Sequence, residues 1–483
     1  MVAPLRGQAL GPAPTVWRRI MTPEAIRKNG KLLVIGGVAA GMSAASQAKR
    51  RRPDLEVTAL EKGDFVSYGA CGMPYNIEDP ARNMEDLVVI TPEQFRKKRG
   101  INVLTRHEAI AIDRQKRIVT AQTPEGEENF AYDRLVIATG ARSRAIDIEG
   151  ADLPGVHFLH TLAHGKALKE DIAALPEGSP VLIMGAGYIA MEMAEVFTRR
   201  GFAVRVWSRS KVVRPLADSI RQKVLDSLAQ NGVDVVYGQV ARIEAGADGR
   251  ACAVSMKDGK SYEASLVLLA AGVAANTQLA QDVALTIGKT GAIAVNEFLQ
   301  TSDPLIYAAG DCAEHSFQLG GDPINAPLGD VANKQGKIAG ANVVGAGEIF
   351  PGVLGTAIFR VFDLEVAMTG LNEEQAKARG FSPLTAEITG RTRAHAYPGA
   401  KEFRVRIVFD AGQGRLLGAQ IAAGEGAWRI NMLSAAIYAG FTVEKLAGID
   451  MAYAPPFSPV WDPILTLAAQ AQKVLAKHKA PVI

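Results

Sequence analysis

Cysteine is scarce in this chain. There are three in 483 residues: Cys71, Cys252 and Cys312. They lie far apart and show no metal-ligand spacing, so neither a disulfide framework nor a metal site is expected, and a reducing cytoplasm is the expected compartment. Long apolar runs are also missing. No stretch reaches the roughly 18 residues that a membrane helix needs, and residues 1–30 hold no apolar core of signal-peptide length. Charge is nearly balanced, with 54 Lys and Arg against 50 Asp and Glu and a net +4. That gives no ground for expecting a nucleic-acid partner. Residues 1–30 are rich in Pro, Gly and Arg without periodicity and read as a disordered extension, with Met21 as an alternative start.

Glycine, by contrast, is abundant at 48 residues. Six of these glycines fall in a recurring design. Residues 31–62 and 179–210 each run from an apolar strand through a Gly-rich turn into an Ala-rich helix and a second strand. This is the opening of a βαβ unit that binds a dinucleotide. The glycines let backbone approach a pyrophosphate, and the helix N-terminus offers free N–H groups to it. The first turn supplies Gly36, Gly37 and Gly41, although Val38 stands where such a turn usually has glycine. Glu61 ends the second strand, 20 residues after Gly41, where an acid receives a ribose hydroxyl pair. The second turn supplies Gly185, Gly187 and Ala190. Its strand ends instead in Ser208-Arg209-Ser210-Lys211. An acid there would repel a 2′-phosphate, whereas arginine and hydroxyls bind it, so NADPH is expected over NADH, with NADH still open.

Further strands end on glycine at 135–143, 266–276 and 304–314. From about residue 346 the character changes. Residues 405–423 read as a hairpin, 428–440 as a helix ending at Gly440, and Asn372 with Gln375 as a helix-opening capping box.

The motifs VIGGVAAG, SYGACGMPY, ATGAR, GAGYIAMEMAE, YAAGDCAE and AYAPPFSPVWDP, spread over residues 31–470, resemble those of the flavoprotein disulfide reductases. The chain is most similar to their single-cysteine branch, which includes coenzyme A-disulfide reductase, NADH oxidase, NADH peroxidase and polysulfide reductase. The resemblance implies an α/β fold with two Rossmann-like dinucleotide-binding domains, glutathione reductase-like, and a C-terminal α+β dimerisation domain. FAD would occupy residues 31–148 and 273–345, NAD(P) residues 149–272, and residues 346–483 would form a homodimer. It adds Lys62, Thr139, Gly140, Gly310 and Asp311 to the flavin residues, with Asp311 on the ribityl chain. It adds Tyr188 as a gate at the flavin face and Glu192 near the nicotinamide.

Cys71 lies in a Gly-Ala-Cys-Gly turn. Two-cysteine relatives such as glutathione reductase carry a second cysteine five residues on, where this chain has Asn76. Redox chemistry would therefore join one protein sulfur to one substrate sulfur. The turn is expected to start a helix whose N–H groups stabilise the thiolate. Cys252 reads as a packing residue of a strand and Cys312 as a small filler. By resemblance, Tyr397 and Tyr453 of the partner subunit would approach the cysteine, and Ser43, Gln47, Arg50 and Ser67 would hold coenzyme A, as substrate or bound thiol. The basic run Lys49 to Arg52 could meet its ADP moiety. Oxidases and peroxidases usually carry histidine where this chain has Ala39, which argues against oxygen or peroxide. The leading expectation is an NADPH-dependent reductase of a disulfide, persulfide or polysulfide, first of all coenzyme A disulfide. The alternatives are an NAD(P)H oxidase cycling through a cysteine sulfenic acid and a low-turnover redox sensor.

Overall fold

The computed structural model describes residues 23–144 and 147–480. Strand Lys31–Ile35 is buried over its last four residues, because a parallel strand is covered on both faces. It feeds helix α1 (Ala39–Arg51), which returns to strand Glu56–Glu61. Helices α2 (Met73–Glu78) and α3 (Pro92–Arg99) follow. The resulting parallel sheet runs in the order Ile306–Ala308, Arg134–Ile137, Lys31–Ile35, Glu56–Glu61, Asn102–Thr105.

Helix α4 (Leu162–Ala174) leads into the second unit. Its parallel sheet runs Asp234–Tyr237, Ala203–Ser208, Pro180–Met184, Leu266–Leu269, Val156–Phe158. Helices α5 (Tyr188–Arg199) and α6 (Asp218–Gln230) belong to it. The chain crosses between the two units twice, and the crossings pair as an antiparallel ribbon, Ala141–Ser143 with Val273–Ala275. Thr139 Oγ1 donates to the Asn276 carbonyl at 2.7 Å, and Asn276 Nδ2 donates back to the Thr139 carbonyl at 2.9 Å. These bonds lock the crossing.

After α7 (Gln278–Asp282) the chain rejoins the first unit through α8 (Gly329–Val343). Helices α1 and α8 pack backbone to backbone. A Cβ on Gly336 or Gly340 would lie 2.2 Å from the carbonyl oxygen of Ala40 or Ala44, so only glycine permits the approach. The helix that opens at the first Gly turn is fixed in this way.

The last unit is an antiparallel sheet ordered Ala357–Val361, Leu364–Gly370, Leu416–Ala423, Glu402–Asp410, Pro383–Arg391. It carries α9 (Glu373–Ala378), α10 (Ile430–Tyr438), α11 (Val443–Ala447) and α12 (Pro463–Lys479). The expected hairpin is the pair Glu402–Asp410 and Leu416–Ala423. The Asn372/Gln375 capping box opens α9, and Gly440, at φ +67°, follows α10. The fold is thus the expected α/β architecture.

Two expectations fail here. The extension was read to residue 30, and residues 1–22 lie outside the described residues, but 23–30 are anchored on the fold through buried Pro23, Ile26 and Gly30. Ile26 is 2% exposed and its N–H donates to the Val343 carbonyl at 3.0 Å. A single apolar residue in a polar stretch has no periodicity, so its partner was invisible in sequence. Cys252 was read as a packing residue, yet it is exposed on the strand Ala251–Met256, while its neighbours Ala251 and Val254 are buried. Cys312 is fully buried as expected.

Truncation at Ile26 should cost about 2–5 kcal/mol, as for other buried aliphatics. Thermal unfolding of Ile26→Ala checks this, and an unchanged midpoint would mean that the segment is not part of the core.

Candidate active site

Five helices receive a side-chain cap: Thr91 on α3, Thr161 on α4, Asn372 on α9, Thr442 on α11 and Asp462 on α12. Helices α1 and α5, which open at the two Gly turns, have none, and neither has an acid in its first turn. Free N–H groups and an uncompensated positive end make each a place for an anion. At the first turn Gly36 adopts φ +112°, and a Cβ there would sit 2.1 Å from the Ala138 carbonyl oxygen. Glu61 braces the turn, accepting from the Gly37 N–H at 2.7 Å and the Gly63 N–H at 2.8 Å. Lys62 faces outward toward Glu108, at 3.9 Å.

Asp311 stands at the carboxyl end of the same sheet, after Ile306–Ala308. Burial pushes its carboxyl above the usual range, opposed by the charge of His160. Its loop is held by groups that the motifs did not reveal. Gln335, fully buried on α8, accepts from the Gly310 N–H at 2.7 Å and contacts His315 Nδ1 at 2.6 Å. Asn325 Nδ2 donates to the Asp311 and Ala313 carbonyls, both at 2.9 Å.

Cys71 lies in a 3₁₀ turn, Ala70–Gly72, directly before α2. Asn76, where a second cysteine would sit, is 4% exposed and donates through Nδ2 to the Asn83 carbonyl at 2.6 Å. Lys169 of α4 donates to the carbonyls of Asn76, Asp79 and Arg82, and Arg200 to that of Ile77. Cations thus hold the C-terminal end of α2, where carbonyls lack helical partners. The expected low thiol pKa is not met. Burial first, then the carboxylates Glu192, Asp311 and Asp330, push the Cys71 thiol up. The charges converging on this turn from distant parts of the chain are acids, which no local motif displays.

Helix α5 faces α2. Glu192 accepts from the Tyr75 hydroxyl at 3.3 Å, and burial pushes its carboxyl up to about 7. Tyr188, at the start of α5, rests against the C-terminal unit. Its ring is 5.2 Å from Phe359, and its hydroxyl donates to Met368 Sδ at 3.5 Å. Ala190 is buried.

On α1, Ser43, Gln47 and Arg50 follow at helical spacing along one face. Arg50 bonds Gln47 at 2.7 Å, and Ser43 bonds Asn333 at 2.7 Å. The rest of the basic run is engaged within the protein: Lys49 with the Leu55 carbonyl, Arg51 with Glu348 and Arg52 with Asp54. Among the described residues Arg50, like Lys49, has no carboxylate partner, and it is the more exposed of the two. Ser67 adopts φ +47° between the Gly turn and the cysteine, its N–H donating to the Gly37 carbonyl at 2.9 Å.

Beyond the second Gly turn lies a cleft of about 720 Å³ lined by Arg209, Ser210, Lys211 and Arg214, with Arg406 and Glu373 on its far side. Ser208 is only 5% exposed and does not line it. The strand ends one residue later than an exposed hydroxyl requires, so Ser210 takes the position expected of Ser208. Arg214 was missed because it follows the strand by six residues. Tyr397 and Tyr453 lie on adjacent loops joined by the bond from the Ala394 N–H to the Pro455 carbonyl at 3.1 Å; they are 37% and 48% exposed.

Residues 30–336 match the family model described as pyridine nucleotide-disulphide oxidoreductase, and residues 356–463 match its dimerisation domain. The chain belongs to the pyridine nucleotide-disulphide oxidoreductases. These are FAD-dependent enzymes. A relative named NAD(P)H sulfur oxidoreductase (CoA-dependent), from Pyrococcus furiosus, is 40% identical over 91% of this chain and 98% of its own. The solved NAD-dependent persulfide reductase from A. fulgidus is 38% identical with a TM-score of 0.89, over 92% of this chain and 84% of that one. An engineered water-forming NADPH oxidase bound to NADPH is 28% identical with a TM-score of 0.87, over 92% and 99%. Its five substitutions remove one aspartate and introduce two arginines and one serine.

FAD fits the first unit on this structure's own terms: the uncapped α1, the Glu61-braced turn and the half-buried Asp311 all lie at the carboxyl end of one sheet. When bound it supplies electron-pair transfer between nicotinamide and sulfur. Among the described residues no group of three or more His, Cys, Asp or Glu side chains could hold a metal ion.

The raised Glu192 pKa has a consequence for stability. The fold binds this proton more tightly than the unfolded chain does, so its contribution is complete below pH 4.5 and is lost as pH rises to about 7. Glu192→Gln should therefore gain in thermal midpoint over the wild type as pH increases through that window. Equal gains at both ends would contradict it.

Proposed function

We propose that this oxidoreductase reduces a sulfur–sulfur bond of a coenzyme A-linked disulfide, persulfide or polysulfide, with NADPH as the preferred donor. The observation that carries this is one accessible thiol at the junction of the three units, with Asn76 in place of a second. Cys71 attacks one sulfur of the substrate, a thiolate leaves, and a Cys71–substrate disulfide forms. An electron pair then breaks that bond, and the second thiol departs with a proton. Ser43, Gln47 and Arg50, on the exposed face of α1, would bind the ligand's phosphates, with Ser67 closer to the sulfur. The coenzyme A dependence in the name of the Pyrococcus relative supports the ligand class.

The nicotinamide preference rests on Arg209, Ser210, Lys211 and Arg214, a set with two guanidinium groups and a hydroxyl at the strand end. The engineered oxidase gained residues of the same chemistry and is bound to NADPH. Against this, the persulfide reductase is named as NAD-dependent. NADPH is favoured because Arg209 and Arg214 bring two guanidinium groups to the strand end, although Asp218, Glu373 and Glu374 also line the cleft. Tyr397 and Tyr453, exposed on adjacent loops, would act from the partner subunit of a homodimer as proton donors to a departing thiol. No helix among the described residues is long and apolar enough to cross a membrane. With three unpaired cysteines, the proposed compartment is the cytoplasm.

Cys71→Ser should abolish multiple-turnover thiol release while leaving flavin bound. Mass spectrometry of the denatured protein as purified should show coenzyme A or an extra sulfur on Cys71. One added oxygen, with NADPH-driven oxygen uptake exceeding thiol release, would favour the oxidase reading instead. The double change Arg209→Ala with Ser210→Glu should invert the ratio of kcat/KM for NADPH and NADH, and an unchanged ratio would overturn the assignment.

A further inference from the structure

Two carboxyls one turn apart on α5 enter the junction with α2 and the strand Ala357–Val361. Glu195 is 3% exposed and fully partnered. It accepts from Arg360 at 3.0 Å, from the Phe362 N–H at 2.8 Å and from Arg199 at 2.8 Å. Glu192 has a single hydrogen-bond partner among the described residues, the Tyr75 hydroxyl at 3.3 Å. Tyr75 lies four residues after Cys71, on the adjoining helical turn. Tyr75 closes the SYGACGMPY motif, but the sequence assigned it no role of its own.

The groups facing Glu192 are Tyr75 from α2, Glu195 from its own helix and Arg360 from the C-terminal sheet. Those facing Cys71 are Glu192, Asp311 and Asp330. Glu192 is therefore common to both sets, and Tyr75 is the side chain that anchors it.

We propose that Tyr75 is a positioning residue that holds the Glu192 carboxyl beside Cys71, so that the proton on Glu192 governs how readily the sulfur ionises. The stoichiometry gives this a purpose if the sulfur-reductase reading holds. NADPH, one proton and R–S–S–R′ yield NADP⁺, RSH and R′SH. The hydride supplies the electron pair that breaks the S–S bond, and both departing sulfurs end with a proton. A neutral carboxyl beside Cys71 tolerates the thiolate and stores a proton. Once ionised, the same carboxyl repels the thiolate and favours the thiol. Tyr75 donates to the carboxylate and so favours its ionised form, while burial opposes it.

The test is the rate of alkylation by iodoacetamide across pH, measured on the flavin-loaded protein and resolved at Cys71 and at Cys252 by peptide mass spectrometry. Wild-type Cys71 should show two inflections, the lower one belonging to Glu192. Glu192→Gln should remove the lower inflection and raise Cys71 reactivity severalfold near neutrality. Tyr75→Phe should move that inflection upward, and should add nothing in the Glu192→Gln background. Cys252 serves as internal reference and should not respond. A Tyr75→Phe profile identical to wild type, or an equal effect of Tyr75→Phe with and without Glu192, would overturn the proposal. Loss of the sulfur-reductase reading would appear separately, as wild-type enzyme that releases no thiol from any coenzyme A disulfide or persulfide while these profiles stand.

Discussion

The site depends on burying one face of α5 against two other units at once. Met191, Met193, Ala194, Val196 and Phe197 join a single apolar cluster with Met73 and Ile77 of the cysteine segment and with Phe359, Val361 and Met368 of the C-terminal sheet. Burial of this kind contributes roughly 25 cal/mol per Å² of apolar surface, so the junction is held by many side chains rather than by any one bond. Because α5 begins at the second Gly turn, the same packing fixes that turn relative to the cysteine segment. The dehydrated setting it creates also raises the Glu192 and Cys71 pKa values. Stability and electrostatics at the site share this one origin.

Around that junction the polar groups divide by role. Glu195, with three donors, is a satisfied buried charge that ties α5 to the strand Ala357–Val361. Lys169 and Arg200 satisfy the end of α2. Among the described residues Glu192 and Asp311 have no ion-pair partner, Asp330 is paired with Lys334 at 3.2 Å, and all three bear on the thiol. At α1 and α5, two of the seven α-helices without a side-chain cap among the described residues, a cap would occupy the N–H groups that an anion needs.

How much of this was legible depends on the range over which each feature acts. The two Gly turns, the Glu61 strand end, the Asn372 capping box and the Glu402–Asp410 hairpin are local, and each appeared where the chain pattern put it. Asn76 announced the single sulfur directly. The closeness of α1 and α8 did not show, because Gly336 and Gly340 matter only through carbonyls some 296 residues away in sequence. Ile26 and Cys252 were misread for a related reason: which face of a short segment is covered depends on a neighbour distant along the chain.

The sequence by itself determined the order of the units, the turns that open toward dinucleotides and the presence of one thiol where a pair might stand. These are set by glycine stereochemistry, capping groups and residue identity, all of which act within a few residues. Only the tertiary structure decided the charge around that thiol, the pairing of Glu192 with Tyr75, the cleft shared by Arg209, Arg214 and Arg406, and the internal engagement of Lys49, Arg51 and Arg52. Coulombic and desolvation effects depend on distance through space, and the folded chain sets those distances with contacts that no local pattern encodes.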